Sequence, residues 1–513
     1  MSSPVLEANT TTLVLGENIS PKTRTAAISD VGALLLLTPC VLLIHGYHPF
    51  ADDAGGIYVA GIEKIMQPGL FGADSVFILA HTHFSIFSHI FAAFLGISHI
   101  PLEIGLFLSY LATIFAFLLG SLRISQRIFD GARLQWGATL LAGTLFTLPV
   151  AATALWIMDP YVTARSFSTP FSLFALDACI GRQWKRMAFW LLMTALMHPL
   201  MAAYLALFLF AYIIVASNCW RLLAISCIAA FVMTAAIYAA TIHTPVPDGY
   251  RDAVLTRQYF FLSSWRWFEW LGLIMPLLLM LLAATRAKLG SIVSNLCITC
   301  IATGVMATVC VLCFVHTNGS YFLDRLQILR SFHLIYAVGV LFLGGFLARY
   351  TSSSHVWPGV LLLLFVSGLM IFVQYQSYTT SAHVEWPYAA PKNPWVQAFL
   401  WVRHNTPQNA VFAIDAEYTK IPAEDAQGFR TIARRSTLVD DLKDGGVASL
   451  FPELAPKWKR ERALELNLDH ISDQERIDRL KPVGVTWLLL SAQSITSLDC
   501  PFHNSAVMVC KLP

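Results

Sequence analysis

Residues 26–53 read AAISDVGALLLLTPCVLLIHGYHPFADD: a long apolar run from Ala26 to Tyr47, then a tandem acid, Asp52-Asp53, a few residues past its end. About 20 apolar residues are needed to cross a ~30 Å hydrocarbon core. The run is too long for a signal peptide, and no small-x-small cleavage pattern follows it, so it reads as a retained first span. A carboxylate pair at the mouth of a membrane helix is solvated enough to ionise. It is also near enough to the bilayer to meet a lipid-linked substrate.

Working outward, the same texture recurs. The chain has 513 residues, 56% of them hydrophobic and 13% charged. A soluble protein would carry roughly a quarter charged residues. Uncharged stretches of span length repeat as far as Gln374, and from Tyr375 the chain turns polar and mixed in charge. The expected organisation is a tail 1–25, a transmembrane domain 26–374 with a long first loop 48–101, and a small α/β domain 375–513. About eleven spans are expected: 26–47, 102–122, 136–157, 167–181, 187–198, 200–217, 222–242, 267–285, 291–314, 331–348 and 356–374. The fold class is mostly α, a polytopic helical bundle with an α/β domain at its C-terminal end. The net charge of +3 and the absence of a Lys/Arg run exclude a nucleic-acid partner.

Charge sets the expected orientation. Lys22, Arg24, Arg123, Arg127, Arg133, Arg182, Lys185, Arg186, Arg221, Arg286, Lys288 and Arg349 lie in alternate short loops at span ends. The positive-inside bias makes that side, and the N-terminus, cytoplasmic. An odd span count then puts loop 48–101 and the C-terminal domain outside. Within the loop, Ile57 to Ile65 follow a helical period before the breaker Gln67-Pro68-Gly69. Phe84, Phe87, Ile90, Phe91 and Phe94 form a second stripe interrupted by His83, Ser85, Ser88 and His89, as expected of a helix in the interface plane. In the tail, strands are expected at 410–414, 483–490 and 506–511, and helices at 395–404, 456–466 and 472–480. It has no phosphate-cradling glycine loop, nucleophile elbow or catalytic triad, so a supporting or substrate-binding role is expected.

Asp52 and Asp53 are the first catalytic candidates, as general base or metal ligand. The plainer reading is an N-cap for a helix starting near Ala54. Asp159, in Met158-Asp159-Pro160-Tyr161, is a possible metal or substrate ligand, or a turn residue before proline. Arg165 is an isolated cation at the outer end of a short span, where a partner is expected. Arg251, Arg257, Arg266, Arg325 and Arg330 also fall on the outer side, against the positive-inside bias. Arg suits phosphate, and Arg325 and Arg330 are favoured among them. His81, His83, His89 and His99 crowd the first loop without a metal-ligand spacing; His83 is kept as a possible metal or substrate residue. His198-Pro199 reads as a structural turn, and Asp177 as an acid paired with basic neighbours. Cys297, Cys300, Cys310 and Cys313 imitate a zinc pattern, but one apolar helix would hold the pairs about 20 Å apart. Cys500 and Cys510 are a disulfide candidate in an oxidising compartment.

The order of a first span, an external acidic pair, interfacial helices, further spans, outer-face arginines and a C-terminal α/β domain resembles the GT-C superfamily of polytopic glycosyltransferases. Asp52 to Tyr58 together with Tyr161 to Pro170 also resemble bacterial membrane proteins of this layout. The resemblance implies sugar transfer from a polyprenyl-phosphate-linked donor to a glycan, lipid or protein acceptor on the outer face of a bacterial plasma membrane. It implies that Asp53 or Asp52 is the essential acid, and that Arg325 or Arg330 holds the lipid phosphate, with Arg165 a further candidate read from its own position. The chain has no WWDYG-like sequence, which argues against oligosaccharyltransferases; it also has no clear DxD after the third span, where only Asp159 stands, which leaves a divalent-metal cofactor open. Two other readings stand beside this one. A secondary transporter would use Asp177 and the His-rich segment for ion coupling; a non-enzymatic assembly protein would bind a partner through 375–513.

Overall fold

The computed structural model describes residues 21–351, 356–421 and 424–513, with side chains from Ser29 onward. The tail 1–20 and the side chains of Lys22 and Arg24 lie outside the described residues. Among those described, seven helices are long and apolar enough to cross a membrane: 102–128, 199–216, 220–241, 267–286, 292–314, 321–348 and 357–377. In hydrocarbon every backbone N–H and C=O must be bonded within the segment, so helix is the form such runs take. The break of 321–348 falls in a 3-10 turn, Ile328–Ser331, before the helix Phe332–Ala348.

The other four expected spans are not among these seven. The first helix runs Pro21–His45, 25 residues, and is apolar along its described side chains, from Ser29 to His45. Helices Ala164–Ile180 and Trp184–Met197 have 17 and 14 residues. The helix expected over 136–157 is corrected to Ala132–Thr144. Beyond it Pro149 lacks a donor, and Ala151 and Ala154 take left-handed φ of 47° and 54°. This irregular stretch keeps its backbone bonded. Ile157 N donates to Leu148 O at 3.0 Å, His333 Nε2 donates to Ile157 O at 2.8 Å, and Ala151 N donates to the Tyr336 hydroxyl at 3.1 Å. His45 is tied to Thr147 at 2.8 Å and to Gly143 O at 2.9 Å, and Gln374 donates to Thr147 at 2.9 Å.

Helix packing follows small residues. A Cβ on Gly137 would lie 2.5 Å from Ala348 Cβ, and one on Gly344 would lie 2.7 Å from Gly137 O. Gly344 and Ala348, one turn apart, therefore let two backbones touch. At the other extreme, helix Trp220–Thr241 has no buried residue at all. It is apolar on every face, as suits a helix wrapped by lipid. In loop 48–101, helices 75–83 and 87–98 meet at a bend of 101°.

The C-terminal region holds a five-stranded sheet, ordered β2-β1-β3-β5-β4, from β1 (Val411–Ile414), β2 (Ser436–Thr437), β3 (Trp487–Ser491), β4 (Phe502–His503) and β5 (Val507–Lys511). β1 runs parallel to β2 and β3; β5 runs antiparallel to β3 and β4. Alternation works as period 2 dictates. Phe412, Trp487, Leu489 and Val509 face one core with Trp395 and Phe399, while Ala413, Leu488, Leu490 and Cys510 face the other. The Cys500–Cys510 disulfide is formed and links β5 to the segment leading into β4. The expected helices appear as Pro394–Asn405, Ala455–Glu465 and Asp473–Leu480. The strand expected from 483 starts at Trp487, because Gly484 turns the chain at φ +88°. Sequence reading missed the helix Asp441–Leu450, whose interior Gly445-Gly446 weakens the helical signal.

Buried ion pairs join this region to loop 48–101. Arg430 binds Asp74 through Nε and Asp444 through both terminal nitrogens, at 2.7 and 2.5 Å. Arg434 Nε meets Glu63 Oε1 at 2.6 Å.

Candidate functional site at the tandem aspartates

The turn that carries Asp52 and Asp53 is clamped before it begins. Gly46 sits at φ +74°, and a Cβ there would collide with His383 O. Tyr47 then pairs with the 383–385 segment: its N–H donates to His383 O at 3.0 Å, and its carbonyl accepts from Glu385 N at 2.9 Å. His48 N donates to Pro160 O at 2.9 Å; its ring meets Glu385 Oε1 at 2.8 Å and stacks on Tyr378 at 3.6 Å. Asp52 takes a left-handed φ of 48°, a conformation that non-glycine residues hold only where their surroundings fix it. A π-helical turn, Ala54–Tyr58, follows. Asp53 precedes it in helical geometry without a capping hydrogen bond, so its carboxylate is not used as an N-cap.

Both carboxylates instead meet cations. Lys443 Nζ donates to Asp52 Oδ1 at 2.6 Å, and the Tyr161 hydroxyl donates to Asp52 Oδ2 at 3.4 Å. Arg165 lies 3.8 Å from Asp53 Oδ2 and donates twice to Asp159 Oδ2, at 3.2 and 3.0 Å. The cations are sunk while the acids are open: Lys443 and Arg165 side chains are 3% and 8% exposed, Asp52 and Asp53 49% and 41%. Partial removal from water pushes the Asp53 carboxyl up. Lys443, Arg165, Arg257 and Arg330 together outweigh that and hold it below its ordinary value. Asp53 is therefore ionised at neutral pH.

Arg257 and Arg330 have no carboxylate partner within 4.0 Å among the described residues. Arg257 donates to Leu442 O and leaves a buried Nε unbonded. Arg330 lies over the Tyr259 ring at 5.8 Å, also with a buried, unbonded Nε. Arg330 lines a crevice with Asp324 and Gln327, whose buried carboxylate oxygens and Oε1 are likewise unbonded. Arg325 stands apart, 5.3 Å over the Phe322 ring, and is not among the strongest cationic influences on Asp53. The sequence favoured Arg325 over Arg257; the structure brings Arg257 to the acids instead. His198, expected only as a turn residue, comes within electrostatic reach of Arg165 and Arg330.

Other candidates fall elsewhere. His83 lines a separate recess with Ser75, Phe451 and Glu453. Among the described residues no group of three or more His, Cys, Asp or Glu side chains could hold a metal ion. Asp159 is committed to Arg165, and Asp177 pairs with Arg127 at 2.8 Å. Cys297, Cys300, Cys310 and Cys313 are free thiols on one helix.

Lys443 was not found from the sequence. It sits in the missed helix Asp441–Leu450, and glycines let that helix in. A Cβ on Gly56 would lie 2.5 Å from Lys443 Cγ, and one on Gly446 would lie 2.7 Å from an Arg257 nitrogen. Gly55 approaches Phe50 and Gly428 as closely, and Thr431 donates to its carbonyl. The glycine pair after Asp53 was the available signal: two adjacent residues without side chains mark a close approach of another backbone or stem.

The chain matches no protein-family model, and no curated protein matches it significantly. The chemistry of the cluster carries the reading. Four cations face three carboxylates around a half-open Asp53. Such a cluster has spare positive charge for an anion and an ionised carboxylate to take a proton beside it.

Proposed function

We propose that this protein is a GT-C-like membrane glycosyltransferase. It moves a sugar from a polyprenyl-phosphate donor to an acceptor hydroxyl on the outer face of a bacterial plasma membrane, across which the chain passes about eleven times. The observation that supports this most directly is the half-open Asp53 among Lys443, Arg165, Arg257 and Arg330, two of which lack a carboxylate partner among the described residues. The seven long apolar helices and the orphaned arginines suit a lipid-anchored anion.

In this reading the donor phosphate occupies Arg257 and Arg330, with Arg165 behind them. The acceptor oxygen attacks the anomeric carbon as Asp53 takes its proton. The bond from that carbon to the phosphate oxygen breaks, and the arginines neutralise the charge that develops on the leaving phosphate. A single displacement inverts the anomeric centre. Asp53 is a weak base while the cations depress its pKa. A bound phosphate neutralises them and raises its basicity when a proton must be taken.

The test is a transfer assay on purified protein with polyprenyl-phosphate sugars. Asp53→Asn is expected to cut the rate by about 10²–10⁴. Arg257→Ala and Arg330→Ala are each expected to weaken donor use by roughly tenfold to a hundredfold, the loss of one charge-assisted hydrogen bond. Full activity in both Asp53→Asn and Asp52→Asn removes the mechanism.

A further inference from the structure

A second basic site lies at the other end of the helices. A cleft of about 220 Å³ opens where helices 267–286, 292–314 and 332–348 meet Phe129. Its wall is apolar, formed by Leu279, Leu282, Ala283, Phe342 and Phe346. Its rim carries Arg286, Lys288 and Arg349, and no acidic residue lines it. All three cations are exposed and none has an ion pair or a side-chain hydrogen bond among the described residues. Helix 332–348 starts just after Arg330 and ends just before Arg349. Its 17 residues rise about 25 Å, so this cleft and the Asp53 cluster sit at opposite ends of that helix.

We infer that the cleft binds one anionic phospholipid of the leaflet opposite the Asp53 site. Arg286, Lys288 and Arg349 hold the headgroup phosphate, and an acyl chain lies along Phe342, Phe346 and Leu279. Charge complementarity selects the occupant: a slot with apolar walls and three unpaired cations at headgroup level matches a lipid that is apolar along its length and negative at its head. A zwitterionic lipid carries its own ammonium and gains less from the rim. A soluble phosphate leaves the wall uncovered. The inference does not rest on the transferase reading, since it uses none of the residues around Asp53.

The experiment follows thermal unfolding of the purified full chain in neutral detergent while dioctanoyl phosphatidylglycerol, dioctanoyl phosphatidylcholine or glycerol 3-phosphate is titrated in. Phosphatidylglycerol is expected to raise Tm saturably; the other two are not. In the variant R286A/K288A/R349A the half-saturating concentration is expected to rise about a hundredfold, from roughly three lost cation contacts. Ala283→Trp, which fills the slot and keeps the cations, is expected to abolish saturable stabilisation. That arm decides the matter if the triple variant does not fold. Equal stabilisation by phosphatidylcholine, equal stabilisation by glycerol 3-phosphate, or an unchanged midpoint in both variants would each overturn the proposal.

Discussion

At the residue scale, Asp53 shows how surrounding charge sets the protonation of a carboxylate and, under the proposed function, the moment at which it would act as a base. Partial burial alone would raise its pKa, and the four cations around it reverse the sign. A lowered pKa keeps the carboxylate charged down to acid pH, so the acid limb of kcat/KM is expected below the ordinary 3.8. Under the proposed function, a bound donor phosphate would cancel part of the cationic field. The limb in kcat is therefore expected at higher pH than the limb in kcat/KM. Lys443→Met removes the largest cationic influence, and both limbs are expected to move upward. Parallel pH–rate profiles for wild type and this variant check the sign; limbs that coincide would dismiss Lys443 as the tuning cation. Asp52, held by Lys443 and Tyr161, acts in this scheme as the anchor for the lysine.

At the element scale, the loop 48–101 and the helix Asp441–Leu450 form one packed unit although about 390 residues separate Asp52 from Lys443. Gly56→Ala is expected to displace the Lys443 stem, since a Cβ meets its Cγ at 2.5 Å. Overpacking of this kind costs about 1–3 kcal/mol, and the pH profile should shift in the same direction as for Lys443→Met. Glu63 ties the same unit together from behind. Burial raises its carboxyl from 4.5 to about 7, with Arg434 opposing. A raised folded-state pKa means that stability is greatest below pH 4.5 and falls as pH climbs to about 7, by about 3 kcal/mol in all. Glu63→Gln is expected to flatten that slope, measured as Tm at pH 5 and pH 8; an undiminished slope would place its origin elsewhere. This scale also shows where sequence reading ran out. The tandem acids, Arg165 and Arg330 were legible because a charge beside an apolar run is conspicuous. Arg257 was visible, but nothing local ranked it above Arg325. Lys443 was hidden because its contacts are tertiary and its helix carries two glycines. The sheet was legible where strands are buried on both faces, as at Trp487–Leu490, and illegible at the two-residue β2 and β4.

At the scale of the whole molecule, the bundle holds the first aspartates, Arg257 and Arg330 in place, while the sheet region delivers Lys443. Length and hydropathy alone reach seven spans among the described residues. The remaining expected crossings are the 25-residue first helix, whose described side chains begin at Ser29, and three short or broken helices, whose place in a bilayer depends on neighbours rather than on their own apolar length. Helix Trp220–Thr241 gives the cleanest test of the surroundings, because no side chain on it is buried by protein. Val232, near its middle, is 58% exposed. On a water-facing helix, Val232→Arg would be neutral or favourable, since a charge there only gains solvent. In a lipid-facing helix the same change places a guanidinium near the hydrocarbon centre and costs about 2.5–3.5 kcal/mol of insertion. Val232→Arg is therefore expected to lower the yield of membrane-inserted protein, with Val232→Leu unchanged as the control. Equal membrane-fraction yields for the two variants would take this helix out of the bilayer, and with it the premise that a lipid-anchored donor can reach Asp53 from the side.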